Sequence, residues 1–249
     1  MGLGSTPRNT QRNVFVDIRS NASKGPEGVG FSQYIPASEG AEKKVVMHEH
    51  VEGNLINFSL KEQPIFEDRL VKVNPRTEII CSATFKDDKN GPNVVVSVPL
   101  MSGFGRKLAG LVNATKHTSP FVRLRASWAD TGTQFGESKP LMKPTAYLTM
   151  NKDGPKGDRI DPLYVDNSGK ELRLENGAPA MLPMGTPVLI NKKEVWDFTA
   201  CDEIAAATAA TAAEYFAAQR EGHHEAAAPA PADDGVDLNE AAEAAAPRG

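Results

Sequence analysis

One helix followed directly by one strand constrains the fold of this chain more than any other stretch, and the pair occupies residues 102–128. Apolar residues recur at helical spacing from Phe104 to Thr115, and Ser102 precedes them as a candidate N-cap. Pro120 cannot continue a helix, so the sequence predicts that the helix ends just before it. The strand must then pair with other strands in a sheet, and the apolar side of the helix must pack against the core face of that sheet.

The strand that begins after Pro120 alternates strictly between apolar and other residues. The set predicted to face the core comprises Val122, Leu124, Ala126 and Trp128. The opposite set comprises Phe121, Arg123, Arg125 and Ser127. An aromatic ring beside two guanidinium groups can stack on a nucleobase and contact phosphate. A solvated outer face with a single aromatic residue has the same pattern, so this strand alone leaves both interpretations open.

Two other stretches repeat the arrangement. In NVFVDIR, Phe15 and Arg19 lie opposite an apolar set, and in TAYLTM, Tyr147 does so. If the three strands are neighbours in a curved sheet, they form a basic platform with aromatic rings, on which stacking contributes about 1–3 kcal/mol per base. Burial of both faces, with loops over the arginines, is the alternative. The candidate nucleic-acid-binding residues, including nearby supporting charges, are Phe15, Arg19, Arg106, Lys107, Phe121, Arg123, Arg125, Lys143, Tyr147 and Lys152.

Short strands are predicted through most of the remaining chain. TEIICSATFK and NVVVSVPL read as a hairpin joined by DDKNGP. Residues 44–60 predict two strands with a turn at Glu52-Gly53-Asn54, and 65–73 predict another strand. Residues 20–43, rich in Gly, Ser and Pro, read as a long loop, and 161–198 contain two hairpin-like pieces.

Catalytic signatures are missing from the sequence. It contains no phosphate-binding G-x-x-x-x-G-K-[ST] loop, no Rossmann glycine pattern after a strand, no nucleophile elbow and no H-E-x-x-H. His48 and His50 form an H-x-H on a predicted strand, which leaves a metal-dependent enzyme as one alternative. We therefore predict a protein that is not an enzyme and requires no cofactor.

Charge and composition divide the chain into a body and a tail. Residues 221–249 carry seven acidic residues and one arginine, a net −6, so the rest carries +2 of the total −4. An alanine-rich helix is predicted over 201–221, followed by a low-complexity, disordered acidic tail over 222–249. A flexible N-terminus is predicted over 1–11 and one β domain over 12–200. This asymmetry is typical of nucleic-acid-binding proteins, in which a tail competes for the basic surface or recruits partners, although many acidic tails only solubilise.

Two further features bear on the compartment. No run of 18 apolar residues and no secretory leader is present, which predicts a cytoplasmic protein without a membrane partner. Cys81 and Cys201 lack the spacing of a metal site and predict reduced thiols.

The order of many short strands, a helix inserted before a basic strand (GRKLAGLVNATKHTSPFVRLRASW), an aromatic strand (TAYLTM) and an acidic C-terminus resembles the OB-fold single-stranded DNA-binding proteins of bacteriophages and bacteria. The resemblance covers about residues 12–200 plus the tail. It implies a mainly β, OB-like five-stranded barrel with extra hairpins, and a role in replication, recombination or repair in a bacterial or infected host cell. In that family the tail often ends in an aromatic or apolar tip that docks on replication proteins, whereas this chain ends Ala246-Pro247-Arg248-Gly249.

The sequence therefore predicts a protein that binds single-stranded DNA with little sequence preference. Its expected partners are the DNA and replication or recombination proteins recruited by the acidic tail, with homo-oligomers left open. The main alternative is a structural or assembly protein, such as a virion or scaffold component, that self-associates through the β domain and the C-terminal helix.

Overall fold

A computed structural model describes residues 13–20, 29–35, 44–64, 77–86, 92–118, 121–133, 141–183, 185–190 and 193–226. Eleven strands and two helices occur in this part of the chain. In chain order the elements are β1 (Val14–Ser20), β2 (Val29–Ile35), β3 (Lys44–His48), β4 (His50–Pro64), β5 (Thr77–Lys86), β6 (Val94–Pro99), α1 (Gly103–Thr115), β7 (Phe121–Thr133), β8 (Leu141–Lys152), β9 (Arg159–Ile160), β10 (Thr186–Ile190), β11 (Lys193–Asp197) and α2 (Thr199–Ala226). The predicted mainly β class is confirmed.

Nine of these strands form one sheet in the order β3-β2-β1-β6-β5-β4-β7-β8-β9. All neighbours are antiparallel except β1 and β6, which are parallel. β2 also approaches β7, although four strands separate them in the sheet, so the sheet curls around its inner face. Within the described residues the strands do not close into the five-stranded barrel that the sequence predicted. One physical reason is that β1 occupies the edge of β6 that a closing strand would need.

The structure corrects the prediction for residues 44–60. No turn occurs at Glu52-Gly53-Asn54; instead β4 runs through these residues without interruption, and the break lies at Glu49. β4 pairs first with β7 and then with β5, and a register shift between Leu55 and Asn57 marks the change. Gly53 permits this because it has a φ of +151° and an added Cβ would lie 2.8 Å from the carbonyl oxygen of Lys86.

Residues 20–43 were also interpreted incorrectly as loop alone, because β2 lies within them. Its Val29 and Phe31 are buried in the core, and Phe31 pairs with Ile18 of β1. Burial of a valine and a phenylalanine outweighs the low strand preference of the flanking Gly and Ser residues. The predicted strand at 65–73 and the predicted loose N-terminus at 1–11 lie outside the described residues.

The core lies between the inner face of the sheet and the two helices. The predicted hairpin of β5 and β6 is confirmed, with Ala83 opposite Val96 and Cys81 opposite Val98. The predicted core set of β7 is confirmed for its first three members, which are all buried. The largest fully buried side chains are Phe31, Phe58, Phe85, Leu55, Leu100, Leu108, Leu111, Leu124, Leu148, Met150, Val96 and Val112.

α1 begins as the sequence predicted. The backbone N–H of Gly105 donates to the Ser102 hydroxyl at 3.0 Å, which caps the first turn. Leu108, Leu111 and Val112 are buried in the core, so the apolar stripe faces the sheet. This helix connects β6 to β7 and joins the two parts of the sheet on either side of β4.

α2 buries a stripe that shares only Thr208 with the predicted one. The sequence favoured Ile204, Thr208, Thr211 and Tyr215, but the fully or nearly fully buried residues are Cys201, Ala205, Thr208, Ala209, Ala212 and Phe216. Small alanines allow close packing of this helix, and Phe216 supplies most of its apolar volume in the core cluster. The Thr208 hydroxyl accepts a hydrogen bond from the backbone N–H of Val165 at 3.0 Å. α2 therefore fixes the irregular segment that follows β9.

Residues 1–217 form one compact unit, and 218–249 form a second. The described part of the second unit is 218–226, which continues the helix beyond the predicted end at 221. Within the described residues, none of the helices combines the length and the apolar character needed to cross a bilayer. Of the predicted hairpin-like pieces, β10 and β11 form a hairpin, whereas 161–180 has only isolated bridges.

Both cysteines are free and buried, as predicted for reduced thiols. Burial raises the pKa of Cys81 to about 12, and its thiol donates to the Val98 carbonyl at 3.3 Å. A raised pKa leaves very little of the thiol as reactive thiolate near neutral pH. In a Cys201→Ser variant we expect Cys81 to react with a thiol-specific chromogen at least about 100-fold more slowly in native buffer than in urea. Rapid stoichiometric labelling of the native variant would contradict this burial.

Candidate nucleic-acid interface

The surface that best fits the predicted site is the outer face where β4, β7 and β8 meet, which we call the basic face. Strand alternation and register place its members in rows that run across these strands. One row contains Glu52, Arg123 and Asn151, and the next contains His50, Arg125 and Thr149. Phe121 lies opposite Asn54 and completes the β7 part of the face.

Arg123 is held by a carboxylate on this face. Its guanidinium donates to Glu52 on the neighbouring strand, and the two side chains are 25% and 30% exposed. A partly exposed pair of this kind contributes little net stability, because solvent screens it. Glu52 therefore competes with any anion for Arg123, a restraint that the sequence did not indicate.

Arg125 differs from Arg123 in its exposure and its partners, although it lies only two residues further along β7. Its side chain is exposed, and within the described residues it makes no ion pair within 4 Å. Alternate residues on a strand lie about 6.6 Å apart, so the ring of Phe121 and the two guanidiniums form a regular series along one edge of the face. Arg125 is the more accessible of the two cations for a phosphate.

The two phenylalanines predicted for stacking are not neighbours. Phe121 is half-buried on β7, whereas Phe15 is 63% exposed on β1, opposite Val95 of β6. Three strands, β6, β5 and β4, lie between β1 and β7 in the sheet. At about 4.8 Å per strand, the two rings are separated by about 19 Å along the curved sheet. The prediction that β1, β7 and β8 are neighbours therefore holds for β7 and β8 only.

The backbone register assigns positions to three further candidates whose side chains lie outside the described part of the structure. Tyr147 and Lys143 are on β8, opposite Ser127 and Thr131 of β7, and Arg19 is on β1, opposite Gly30 of β2. By register, Tyr147 is two positions along β8 from Thr149, which pairs with Arg125. Lys152 differs, because it pairs with the buried Val122 and belongs to the inner-face set at the exposed end of β8.

Arg106 and Lys107 are on α1, which packs on the inner side of the sheet, so they do not join the basic face. Arg106 forms an ion pair with Asp202 of α2 at 2.6 Å, and its guanidinium carbon lies 4.9 Å from the ring centroid of Phe198. It therefore links the two helices. Lys107 is half-buried, and burial together with the nearby charge of Arg159 lowers its pKa, against the opposing effect of Asp161.

The histidine pair does not form the arrangement that a strand H-x-H implies. Glu49 is a bend, so His48 ends β3 and His50 begins β4. Nε2 of His48 is 3.0 Å from the Gln33 amide oxygen on β2, whereas His50 lies opposite Arg125. In the part of the chain that the structure describes, no group of three or more His, Cys, Asp or Glu residues is arranged to hold a metal ion.

Sequence reasoning missed the polar part of the outer face. Ser59, Ser82 and Ser97 line up across β4, β5 and β6, and the hydroxyls of Ser82 and Ser97 are 2.9 Å apart. Asn151 and His50 lie beside the two arginines for the same reason, namely the pairing register. Serine and asparagine in a strand carry no distinctive sequence signal, and the register that aligns them is set by contacts between distant segments.

Comparisons with protein-family models, with curated proteins and with solved structures gave no match for this chain.

Proposed function

We propose that this protein binds single-stranded DNA with little sequence preference and protects it during replication, recombination or repair. The observation that carries the proposal is the series on β7 in which Phe121, Arg123 and Arg125 share one face, with Arg125 exposed. Stacking on a ring and neutralisation of phosphates do not depend on base identity, because every base has a π-face.

The connectivity from β4 to β8 supports an OB-like reading of the domain. A long β4 pairs with both β5 and β7, the antiparallel strands β4, β5 and β6 precede α1, and β7 and β8 follow it. OB folds have five strands in a partly open barrel and bind oligonucleotides on the face of strands 2 and 3. Here β1 and β2 extend the sheet beyond β6, and we treat them as additions to that five-stranded unit.

The OB-like interpretation of the domain also gives Phe15 a role in DNA binding, despite its distance from Phe121. The ring of Phe15 lies opposite Val95 on the outer side of β6, and Thr84 of β5 continues that row. These strands are the counterparts of strands 2 and 3, so a DNA strand that crosses the sheet from β7 to β1 meets Phe121 first and Phe15 last. A path of about 19 Å accommodates several nucleotides, in keeping with the roughly 4–16 nucleotides bound per OB fold.

Fluorescence polarisation with a labelled oligo-dT and with the matching duplex tests the proposal. We expect tighter binding of the single strand, and a steep loss of affinity between low and moderate salt, because bound phosphates release counterions. The duplex at equal concentration is the matched control. Absence of binding at low salt, or equal affinity for strand and duplex, would contradict the proposal.

A second candidate function, self-association as an assembly protein, is favoured by the β10–β11 hairpin. Its Leu189 and Trp196 are 76% and 53% exposed, and Val195 is also exposed. Apolar side chains that are exposed to solvent on a two-stranded hairpin are typical of protein-binding surfaces. Large oligomers that persist at high salt, together with no DNA affinity, would favour this candidate. The buried stripe of α2 does not support it, because Ala209, Ala212 and Phe216 already pack in the core of their own domain.

A further inference from the structure

A cleft of about 660 Å³ opens beside the first turn of α1 and extends to Arg159 of β9, at the edge of the sheet. We call it the α1 cleft. Its lining includes Gly103 and Lys107 of α1, Arg159 and Asp161, and the apolar residues Leu174 and 179–182. Its volume is within the range of about 300–1,000 Å³ that small-molecule sites occupy.

The charged side of the cleft carries an excess of positive charge. The charge of Arg159 is close enough to disfavour the charged form of Lys107, and among the lining residues that the structure describes Asp161 opposes this effect. Within the described residues neither cation forms an ion pair within 4 Å. Arg106 also lines the cleft, but Asp202 already neutralises it. Two like charges at a partly desolvated position are stabilised when an anion lies between them.

The first turn of α1 adds to this preference. Gly103 is the first residue of the helix and lies on the cleft wall. The Gly105 N–H already donates to the Ser102 hydroxyl, so the N–H groups that precede it in the first turn are the ones left for an anion, and the helix dipole makes that end attractive to anions. Together with the two side-chain cations, it makes one end of the cleft suitable for a phosphate group.

The other walls are apolar and held in place. Tyr164 is buried, and its ring packs against α1 so closely that a Cβ on Gly110 would lie 2.6 Å from it. Burial also raises the pKa of Tyr164, so its phenol stays neutral at physiological pH. Pro162 and Leu182 extend this surface. A flat or apolar body attached to the phosphate can therefore lie against a fixed wall.

We propose that the α1 cleft binds a phosphate-bearing ligand of nucleotide size, with its phosphate between Lys107 and Arg159 and its apolar body along the wall formed by Pro162 and Leu182 over the buried Tyr164. The shared chemistry is a phosphomonoester on a ring-containing group. A free nucleotide and the terminal phosphate of a DNA strand both supply it. Arg159 pairs with Asn151 and so adjoins the row of Arg123, but Lys107 lies on α1, and it therefore distinguishes this site from single-strand binding on the basic face.

Isothermal titration of the full chain with thymidine monophosphate, thymidine and inorganic phosphate tests the site. We expect the monophosphate to bind more tightly than thymidine or inorganic phosphate, since it uses both ends of the cleft. Lys107→Gln and Arg159→Gln should each weaken it by about tenfold to hundredfold. Lys170→Gln removes one exposed charge away from the cleft and should change the affinity less than twofold. Circular dichroism and thermal unfolding establish that each variant is folded.

Three results would overturn the proposal: no heat from the monophosphate at millimolar concentration, equal affinity for thymidine, or equal losses in Lys107→Gln and Lys170→Gln. A comparison of 5′-phosphorylated with 5′-hydroxyl oligo-dT identifies the source of the phosphate group, which is either a free nucleotide or the end of a DNA strand. A preference for the phosphorylated strand that Lys107→Gln abolishes identifies the strand end, whereas nucleotide binding without that preference identifies a free nucleotide. An Arg125→Ala variant that keeps full affinity for the monophosphate separates this site from the basic face.

Discussion

Replacement of Arg123 and Arg125 by alanine together is expected to lower the affinity for oligo-dT by about 10- to 100-fold at low salt, with the fold unchanged. Each arginine contributes one phosphate contact to the basic face, and loss of a charged hydrogen bond typically costs about 1.5–3 kcal/mol, reduced here by exposure to solvent. For single strands each phosphate contact contributes about 0.7 to the log–log salt slope, so the slope should fall by about 1.4. Polarisation titrations at four salt concentrations measure both quantities.

The single variants distinguish the two arginines. Arg125 is exposed, while Arg123 is bound to Glu52, so Arg125→Ala should account for most of the loss. Glu52→Gln frees Arg123 and removes a negative charge from the face, and it should tighten binding by a few-fold. Unchanged affinity in the double variant, or weaker binding in Glu52→Gln, would contradict DNA binding on the basic face.

Phe58→Ala is expected to reduce the free energy of unfolding by about 3–5 kcal/mol. Phe58 is fully buried on β4, opposite Ala83, at the strand that joins the two parts of the sheet. The loss combines the transfer free energy of the ring with the cavity left behind, and it amounts to a large fraction of the 5–15 kcal/mol typical of a domain. Urea unfolding followed by far-UV circular dichroism measures it.

Phe15→Ala is the matched control for that variant. The same side chain is removed from the same sheet, but from β1 and from the outer face, where it is 63% exposed. Stability should change by no more than about 0.5 kcal/mol. Oligo-dT binding should weaken by about 1–3 kcal/mol if the ring stacks on a base. A loss of stability as large as that of Phe58→Ala would show that Phe15 is a core residue and that the outer face is assigned incorrectly.

The local elements were predictable where one physical signal dominated. α1 has both an apolar stripe at helical spacing and a capping serine, and the β5–β6 hairpin has two alternating strands around a turn-forming segment. Gly53 shows where such reasoning fails. Glycine next to Asn54 is typical of a turn, but here its positive φ lets a single long strand change partners, a role set by the approach of Lys86 from β5.

The candidate site was predictable only along one strand at a time. Alternation grouped Phe121 with Arg123 and Arg125, and the backbone register agrees with that grouping. It could not indicate that Glu52 lies opposite Arg123 or that three strands separate β1 from β7, since both depend on pairing between distant segments. For the same reason Arg106 and Lys107 looked like supporting charge, whereas their helix places them on the inner side of the sheet.

Single-strand binding on the outer face of the sheet is tested by ultraviolet crosslinking of the full chain to a bromodeoxyuridine-containing single strand, followed by mass spectrometry of the crosslinked peptides. We expect crosslinks on β7 at or beside Phe121 and on β1 at or beside Phe15, both suppressed by unlabelled oligo-dT. Crosslinks confined to the β10–β11 hairpin, or none at a concentration that saturates polarisation, would contradict single-strand binding on the outer face of the sheet.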